Sequence, residues 1–288
     1  MTKYIYLALG LVALVGVVLF GIVLKPTPAS QATETIEKTI SLVPEEYPQD
    51  ADTPKKLDFT AVQQAVDSAT TTVDVAVYER KTGQFFEAKN GEDFPMASVA
   101  KVPILMNLLV NHVDYDKQLA YNMIVKSDND PANGLLLKGT YENYDALFKK
   151  LDMTNTKRSS YAWGLSLTDA GDMIKMLNEI FYVTQNELLT EQDAKYLADL
   201  MKQVEPYQKW GVSAGPGKEN TALKNGWNAL DGYGWVINSI GHVKTNQLDY
   251  TIAIMTKNNK DMASGIAEVE NLSETVYNAI SETEENND

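Results

Sequence analysis

Hydrophobic positions change rhythm several times along the chain, and each change marks an element. From Tyr4 to Leu24 no residue is charged. At about 1.5 Å per helical residue that run spans roughly 30 Å, the thickness of a bilayer core. It predicts a membrane segment over residues 1–25, read as an uncleaved signal-anchor, with cleavage near Ala32 in "ASQA" as the alternative. Residues 26–56 are rich in Pro, Thr, Ser and Glu and hold no sustained period, which predicts an extended stalk. A folded domain is expected over 57–283 and an acidic tail over 284–288.

Within the domain, "FTAVQQAV" fits a short helix, and "TTVDVAVYERKTGQFFEAKN" gives two alternating runs around a turn, a β-hairpin. The apolar stretch from Ser98 to Val113 suits one buried helix. "ANGLLLKG", "ENYDALFKKL", "LTDAGDMIKMLNEIF" and "TEQDAKYLADLMKQV" carry helical spacing, the last two opening with Thr as N-cap. After Lys209 three β-branched and aromatic runs predict three strands, and Ile266, Val269, Leu272, Val276 and Ile280 form the apolar stripe of a closing helix. Strands at both ends of the domain around a helical middle predict an α+β fold. Its antiparallel sheet of about five strands would be flanked by N- and C-terminal helices, with an all-α subdomain inserted.

Composition narrows the function. The net charge is −14, with no basic stripe to neutralise phosphates, which excludes nucleic acid as a partner. There is no cysteine and there are only two histidines, so disulfide frameworks, thiol nucleophiles and Cys/His zinc sites are excluded. No metal and no cofactor is expected. His112 and His242 are the sole candidates for a Ser-His-Asp triad, and His242, after Gly241, reads as a turn residue.

The candidate chemistry lies in three short stretches. In "FPMASVAKVPILMNLLV", Ser98 and Lys101 are i and i+3, so on a helix the amine reaches the hydroxyl. Burial among Val99, Val102, Ile104 and Leu105 disfavours the charged amine and makes it a base for the serine. The plain alternative has Ser98 capping the helix and Lys101 snorkelling to solvent. In "MIVKSDNDPANGLLL", Ser127-Asp128-Asn129 precede a helix on which Asp130 reads as N-cap and Pro131 as N1. A calcium loop there is disfavoured by Gly139 at the position of its glutamate. In "ALKNGWNALDGYGW", Lys224-Asn225-Gly226 lie on a candidate strand before Trp227.

In this order the three stretches resemble the S-x-x-K, S-D-N and K-T-G motifs of class A β-lactamases and penicillin-binding DD-peptidases. The resemblance covers Phe59 to Ile280. Lys81-Thr82-Gly83 matches the third motif literally, but it precedes Ser98 and falls in the hairpin turn. The resemblance implies that Ser98 is the acylated nucleophile, Lys101 its base or proton relay, and Ser127, aided by Lys224, the proton shuttle to the leaving nitrogen. It implies that Asn129 holds the substrate's amide side chain and that Asn225, in place of the motif's Thr, binds a carboxylate beside Gly226 and Trp227. By the same pattern the backbone amides of Ser98 and Trp227 form the oxyanion hole.

Two departures qualify that pattern. Ser98 and Ser127 are 29 positions apart, room for one helix and a short connection. Residues 153–168, "MTNTKRSSYAWGLSLT", hold no carboxylate, whereas class A enzymes carry a water-activating glutamate on the corresponding loop. Asp152 and Asp169 flank the segment, the first ending a helix and the second beginning one. The reading is a membrane-anchored extracytoplasmic bacterial serine acyl hydrolase acting on cell-wall peptides or a related amide or ester, and a poor β-lactamase. The alternatives are a non-catalytic descendant that binds peptidoglycan or a partner protein, and a class A β-lactamase with atypical deacylation.

Overall fold

The strand alternation between Thr72 and Lys89 folds into a hairpin, β1 (Thr72–Glu79) and β2 (Gln84–Lys89), and sorts side chains between two layers. Val73, Val75 and Val77 face one side, whereas Ala76 faces the other. The computed structural model describes residues 56–182 and 188–285. The expected membrane segment and all of the stalk but Lys56 lie outside these. Among the described residues no helix is long and apolar enough to cross a membrane.

Three long strands complete the sheet: β5 (Thr221–Leu230), β6 (Gly234–Lys244) and β7 (Asp249–Asn259). The order is β2-β1-β7-β6-β5 and every neighbouring pair is antiparallel, as the sequence pattern predicts. β5 is therefore an edge strand of the sheet. Helices α1 (Thr60–Ser68) and α8 (Met262–Glu285) cover one face, where Val66, Val75, Ile252, Ile254, Leu272 and Val276 form a core. The helix α8 runs two residues into the expected acidic tail.

The other face carries α2 (Lys101–Val110), α3 (Lys117–Val125), α4 (Asn129–Gly139), α5 (Tyr141–Lys150), α6 (Ala170–Tyr182) and α7 (Glu191–Lys202). Every residue of α2 from Lys101 to Leu109 is buried. That all-round burial explains why its sequence lacks an amphipathic stripe.

The structure refines several expectations. Ser98 to Val113 is not one helix: Ala97–Ala100 is a 3-10 turn, and α2 ends at Val110. The 29-residue interval holds two helices, since His112 takes φ +49° and lets the chain reverse sharply before α3, which Asp116 caps through the Gln118 amide. Asp128, not Asp130, caps α4 by accepting from the Asp130 amide, so Pro131 is third in the helix. Thr190 caps α7, but Asp169 rather than Thr168 caps α6, accepting from the Asp172 amide at 2.8 Å. Two short strands, β3 (Phe94–Pro95) and β4 (Leu167–Thr168), pair with each other. They bind the approach to Ser98 to the end of the 153–168 loop.

Candidate active site

Ser98 projects from a turn that the chain holds in an unfavourable conformation. The residue before it, Ala97, has φ +47°, a left-handed backbone that costs a non-glycine residue of order 1 kcal/mol. Three contacts hold it there. The Met96 amide donates to Ser166 O at 2.8 Å. The buried Asn238 of β6 donates from Nδ2 to Pro95 O at 2.8 Å and Met96 O at 3.1 Å, while its Oδ1 accepts from the Thr256 amide. The third is a close approach by β5: a Cβ on Gly226 would lie 2.8 Å from Met96 O, 2.8 Å from Ser98 N and 2.9 Å from Val99 N. Only glycine allows that strand edge, with Trp227 next in line, so near the Ser98 amide.

Lys101 is fully buried and does not snorkel. Its Nζ lies 2.9 Å from Ser98 Oγ, 2.6 Å from Ser127 O, 3.1 Å from Ser127 Oγ and 2.8 Å from Asn129 Oδ1. The carbonyl of Ser127 and the amide oxygen of Asn129 can only accept. They take two N–H groups, and a neutral amine is left with its lone pair for the Ser98 hydroxyl. Burial pushes the Lys101 pKa down to about 8, with Asp128 acting weakly the other way. The arrangement can thus remove a proton from Ser98.

Lys224 is also fully buried, and desolvation followed by the charge of Lys101 holds its pKa well below the usual lysine value. Its Nζ donates to Asn225 O at 2.8 Å and lies 2.9 Å from Ser127 Oγ. Among the described residues neither lysine forms an ion pair with a carboxylate. Ser127 itself takes φ +58°, which turns both its carbonyl and its hydroxyl to the lysines. Ser98, Lys101, Ser127 and Lys224 therefore form one continuous chain of polar contacts.

Asn225 is placed differently from its expected role. Its side chain is fully buried, and Nδ2 donates to Gln208 O at 2.7 Å and Trp210 O at 3.1 Å. Both amide hydrogens are used, and Oδ1, an acceptor, has no hydrogen-bond partner. The residue clamps the 208–210 segment onto β5 and offers no donor for a carboxylate. Trp227 is half-buried, with its ring edge-on to Trp210 at 6.0 Å.

The 153–168 loop is tied down along its length. Lys157 and Leu167 exchange two backbone hydrogen bonds, Arg158 binds Asp145 through two nitrogens, and the Ser159 amide donates to Ser166 Oγ. The loop packs Gly164 against Ala97 and sends an indole to Lys101: the Trp163 ring centre is 5.0 Å from Nζ. Trp163 Nε1 donates to Asn133 Oδ1 on α4 at 2.8 Å. Asp152 is exposed beside Lys175, and Asp169 is bound to the Asp172 amide, Asn155 and Lys89.

The sequence matches the model of the "Beta-lactamase enzyme family" over residues 111–280. The chain belongs to the beta-lactamase enzyme family. The matched stretch contains Ser127 and Lys224 and begins after Ser98. Among solved structures this family member is similar to PBP-A (19% identity, TM-score 0.65, covering 77% of this chain and 95% of that one). It is similar too to a β-lactamase from Sphaerobacter thermophilus (16%, 0.67, 78% and 98%). A class A β-lactamase representative from Bacteroides cellulosilyticus also matches (18%, 0.64, 81% and 100%). No curated protein matches. The β-lactamase-like serine hydrolase fold agrees with the strand and helix order.

Within this family frame both histidines lie apart from the Ser98 chain of contacts. His242 is not a turn residue: it is buried within β6, 2.7 Å from Asp249 Oδ1 and stacked on Phe181. His112 follows α2 and is exposed. The sequence reading missed Asn238, Gln208 and Trp163. Their roles depend on contacts between residues distant in sequence, and no local motif announces them.

Proposed function

We propose that the protein is a serine acyl hydrolase that forms an acyl-enzyme on Ser98, anchored outside the cytoplasmic membrane and acting on cell-wall peptides or a related amide or ester. The observation that carries this reading is the environment of Lys101: a dry amine, with acceptor-only oxygens on two sides and Ser98 Oγ at 2.9 Å. Neutral Lys101 takes the Ser98 proton as Oγ attacks the scissile carbonyl. The backbone amides of Ser98 and Trp227 receive the oxyanion. Ser127 passes a proton to the leaving nitrogen and regains one from Lys101 at 3.1 Å, aided by Lys224 at 2.9 Å. Asn129, exposed beside Lys101, holds an amide of the substrate.

The loop argues against efficient penicillin hydrolysis. Where class A enzymes present a glutamate, residues 153–168 present Trp163, a donor-only side chain that cannot activate water. A neighbour in fold, PBP-A, has been solved in mutant form as an acyl-enzyme complex with penicillin G. That precedent supports acylation as the shared step. The membrane and cell-wall elements rest on the apolar segment at residues 4–24 and on the family.

Incubation of the full-length protein with fluorescent penicillin, followed by gel and intact mass, tests the reading. A covalent adduct that persists for minutes and is absent in Ser98→Ala supports it. Rapid drug turnover favours the class A alternative with another route for water. No adduct with penicillin or with an activated-ester probe favours the non-catalytic binder.

A further inference from the structure

Ser127 and Lys224 lie 97 positions apart in the chain, so the fold alone sets the 2.9 Å between Ser127 Oγ and Lys224 Nζ. Gln208 joins the two elements that carry them. Its side chain is buried, and Nε2 donates at 3.3 Å to Val125 O, the carbonyl of the last residue of α3. Its own carbonyl accepts from Asn225 Nδ2 at 2.7 Å, one residue along β5 from Lys224. Ser127 follows Val125 by two residues, so these contacts close a ring that runs from Ser127 to Lys224, Asn225, Gln208, Val125 and back to Ser127. Gln208 is the member of that ring that touches both walls.

A helix-end carbonyl has no partner inside its helix, and burial removes water as a substitute. Val125 O finds two donors on one short segment: the Glu205 amide at 3.1 Å and, across the Pro206–Gln208 turn, the Gln208 amide. Without the second donor the end of α3 is still held, but the residue that β5 grips no longer fixes its distance. Lys101 does not compensate, because it reaches Ser127 from α2. Gln208 Oε1 has no hydrogen-bond partner, a cost to stability that an apolar side chain of the same length would avoid. The nitrogen is the part of this amide that the fold uses.

We propose that Gln208 is a positioning residue for proton delivery to the leaving nitrogen: it holds the Ser127 turn at hydrogen-bond distance from Lys224, and it serves collapse of the tetrahedral intermediate rather than attack by Ser98. The inference rests on the proposed acylation of Ser98. On attack the Ser98 proton passes to Lys101. On collapse the bond from the carbonyl carbon to nitrogen breaks, that nitrogen takes the Ser127 proton, and Ser127 regains one from Lys101, so protons and charge balance. A thiolate leaves as an anion and needs no proton. A thioester therefore bypasses the step that Gln208 serves.

Acylation of the full-length protein is timed over the first turnover by intact mass with two donors: fluorescent penicillin, whose ring nitrogen must be protonated, and an N-acetylglycyl thioester. Gln208→Met keeps the length of the side chain and loses the donor, and Gln208→Asn keeps an amide that falls one methylene short of Val125 O. Rates are compared on variants with the far-UV spectrum of the parent. Both are expected to lower the penicillin rate about 10²-fold, the scale of a misplaced catalytic group, and the thioester rate less than about threefold. In a Ser127→Ala background, where no hydroxyl remains to be positioned, Gln208→Met is expected to lower the penicillin rate no further. An equal loss with both donors, a full further loss in Ser127→Ala, or loss of the fold in both variants marks a structural role and overturns the inference, with the acyl-enzyme reading intact. An unchanged penicillin rate in both variants, or a parent acylated by the thioester alone, overturns it as well. A parent acylated by neither donor sinks the acyl-enzyme reading, and the inference falls with it.

Discussion

Lys101 and Lys224 converge on one hydroxyl: their Nζ atoms lie 3.1 and 2.9 Å from Ser127 Oγ. Burial lowers the tendency of both amines to hold a proton, and the charge of Lys101 lowers that of Lys224 further. The site is therefore organised to release protons near neutral pH. Its parts come from α2, from the turn before α4 and from the edge strand β5.

This pairing sets a pH profile. With the Lys101 pKa lowered to about 8, the neutral amine dominates above that value and becomes scarce below it. The acylation rate of Ser98 is expected to rise about tenfold per pH unit up to the pKa and to level above it. Stopped-flow adduct formation from about pH 5.5 to about pH 9.5 measures it. Lys101→Arg, which cannot deprotonate, is expected to lose about 10³-fold or more at every pH. A flat profile would remove Lys101 as the base.

The approach of β5 to the nucleophile turn can be tested with one methyl group. In Gly226→Ala the new Cβ meets three backbone atoms, Met96 O, Ser98 N and Val99 N, at less than 3.0 Å. Backbone cannot rotate aside as a flexible side chain does, so the strand must retreat from Ser98. Because the amides proposed as oxyanion donors, those of Ser98 and Trp227, flank this contact, acylation is expected to fall by about 10² or more, as for loss of one such donor. The far-UV spectrum should stay that of the parent. Parent-like acylation would mean that the turn and the strand are not coupled.

Much of this was legible in the chain. The alternation of β1 and the β-branched runs after Lys209 specify a sheet because strand period and burial agree. Ser98 and Lys101 were visible because their spacing is local, and Ser127 and Lys224 because the three stretches in order resemble the family's motifs. Asn225 was misread because the motif gives a residue type and not a direction. Only the fold shows that its amide turns to Gln208 and Trp210. Asn238 was invisible, since nothing near it in sequence indicates that its side chain crosses to Pro95 and Met96. Position in the sheet made both residues matter.

The clamp role of Asn225 predicts a structural rather than a binding phenotype. Asn225→Ala leaves two buried carbonyls, Gln208 O and Trp210 O, without this donor, at a cost of about 1–3 kcal/mol for each group left unpaired. Asn225→Thr, which restores the family hydroxyl, removes the same donors. Both variants are expected to shift the urea midpoint downward. A side chain that bound carboxylate would instead show Asn225→Thr acylating better on carboxylate-bearing donors with stability unchanged. Equilibrium unfolding and acylation kinetics on the same preparations separate the two.

The last prediction concerns stability away from Ser98. Asp74 of β1 is fully buried and accepts from the Ala170 amide at the start of α6, while its Oδ1 has no hydrogen-bond partner. Carboxylate oxygens of Asp74, Glu87 and Asp169 lie within 4.8 Å of one another, and Lys89 pairs with the latter two. Burial first, then the Ala170 bond acting oppositely and the two neighbouring acids, leave the Asp74 pKa raised to about 8. Between the unfolded value near 3.9 and the folded value, the native chain holds a proton that the unfolded chain has released. The contribution of this group to stability is therefore fully present below about pH 4, declines by about 1.4 kcal/mol per unit as pH rises, and levels above about pH 8. Asp74→Asn keeps an acceptor for Ala170 and brings a neutral donor toward Glu87 Oε1, which has no hydrogen-bond partner. It is expected to flatten the pH dependence and to gain about 1–3 kcal/mol at about pH 8. Urea unfolding of both proteins at about pH 5, 7 and 9 measures this, and a variant less stable than the parent at the highest pH would show that Asp74 is held there as a needed anion.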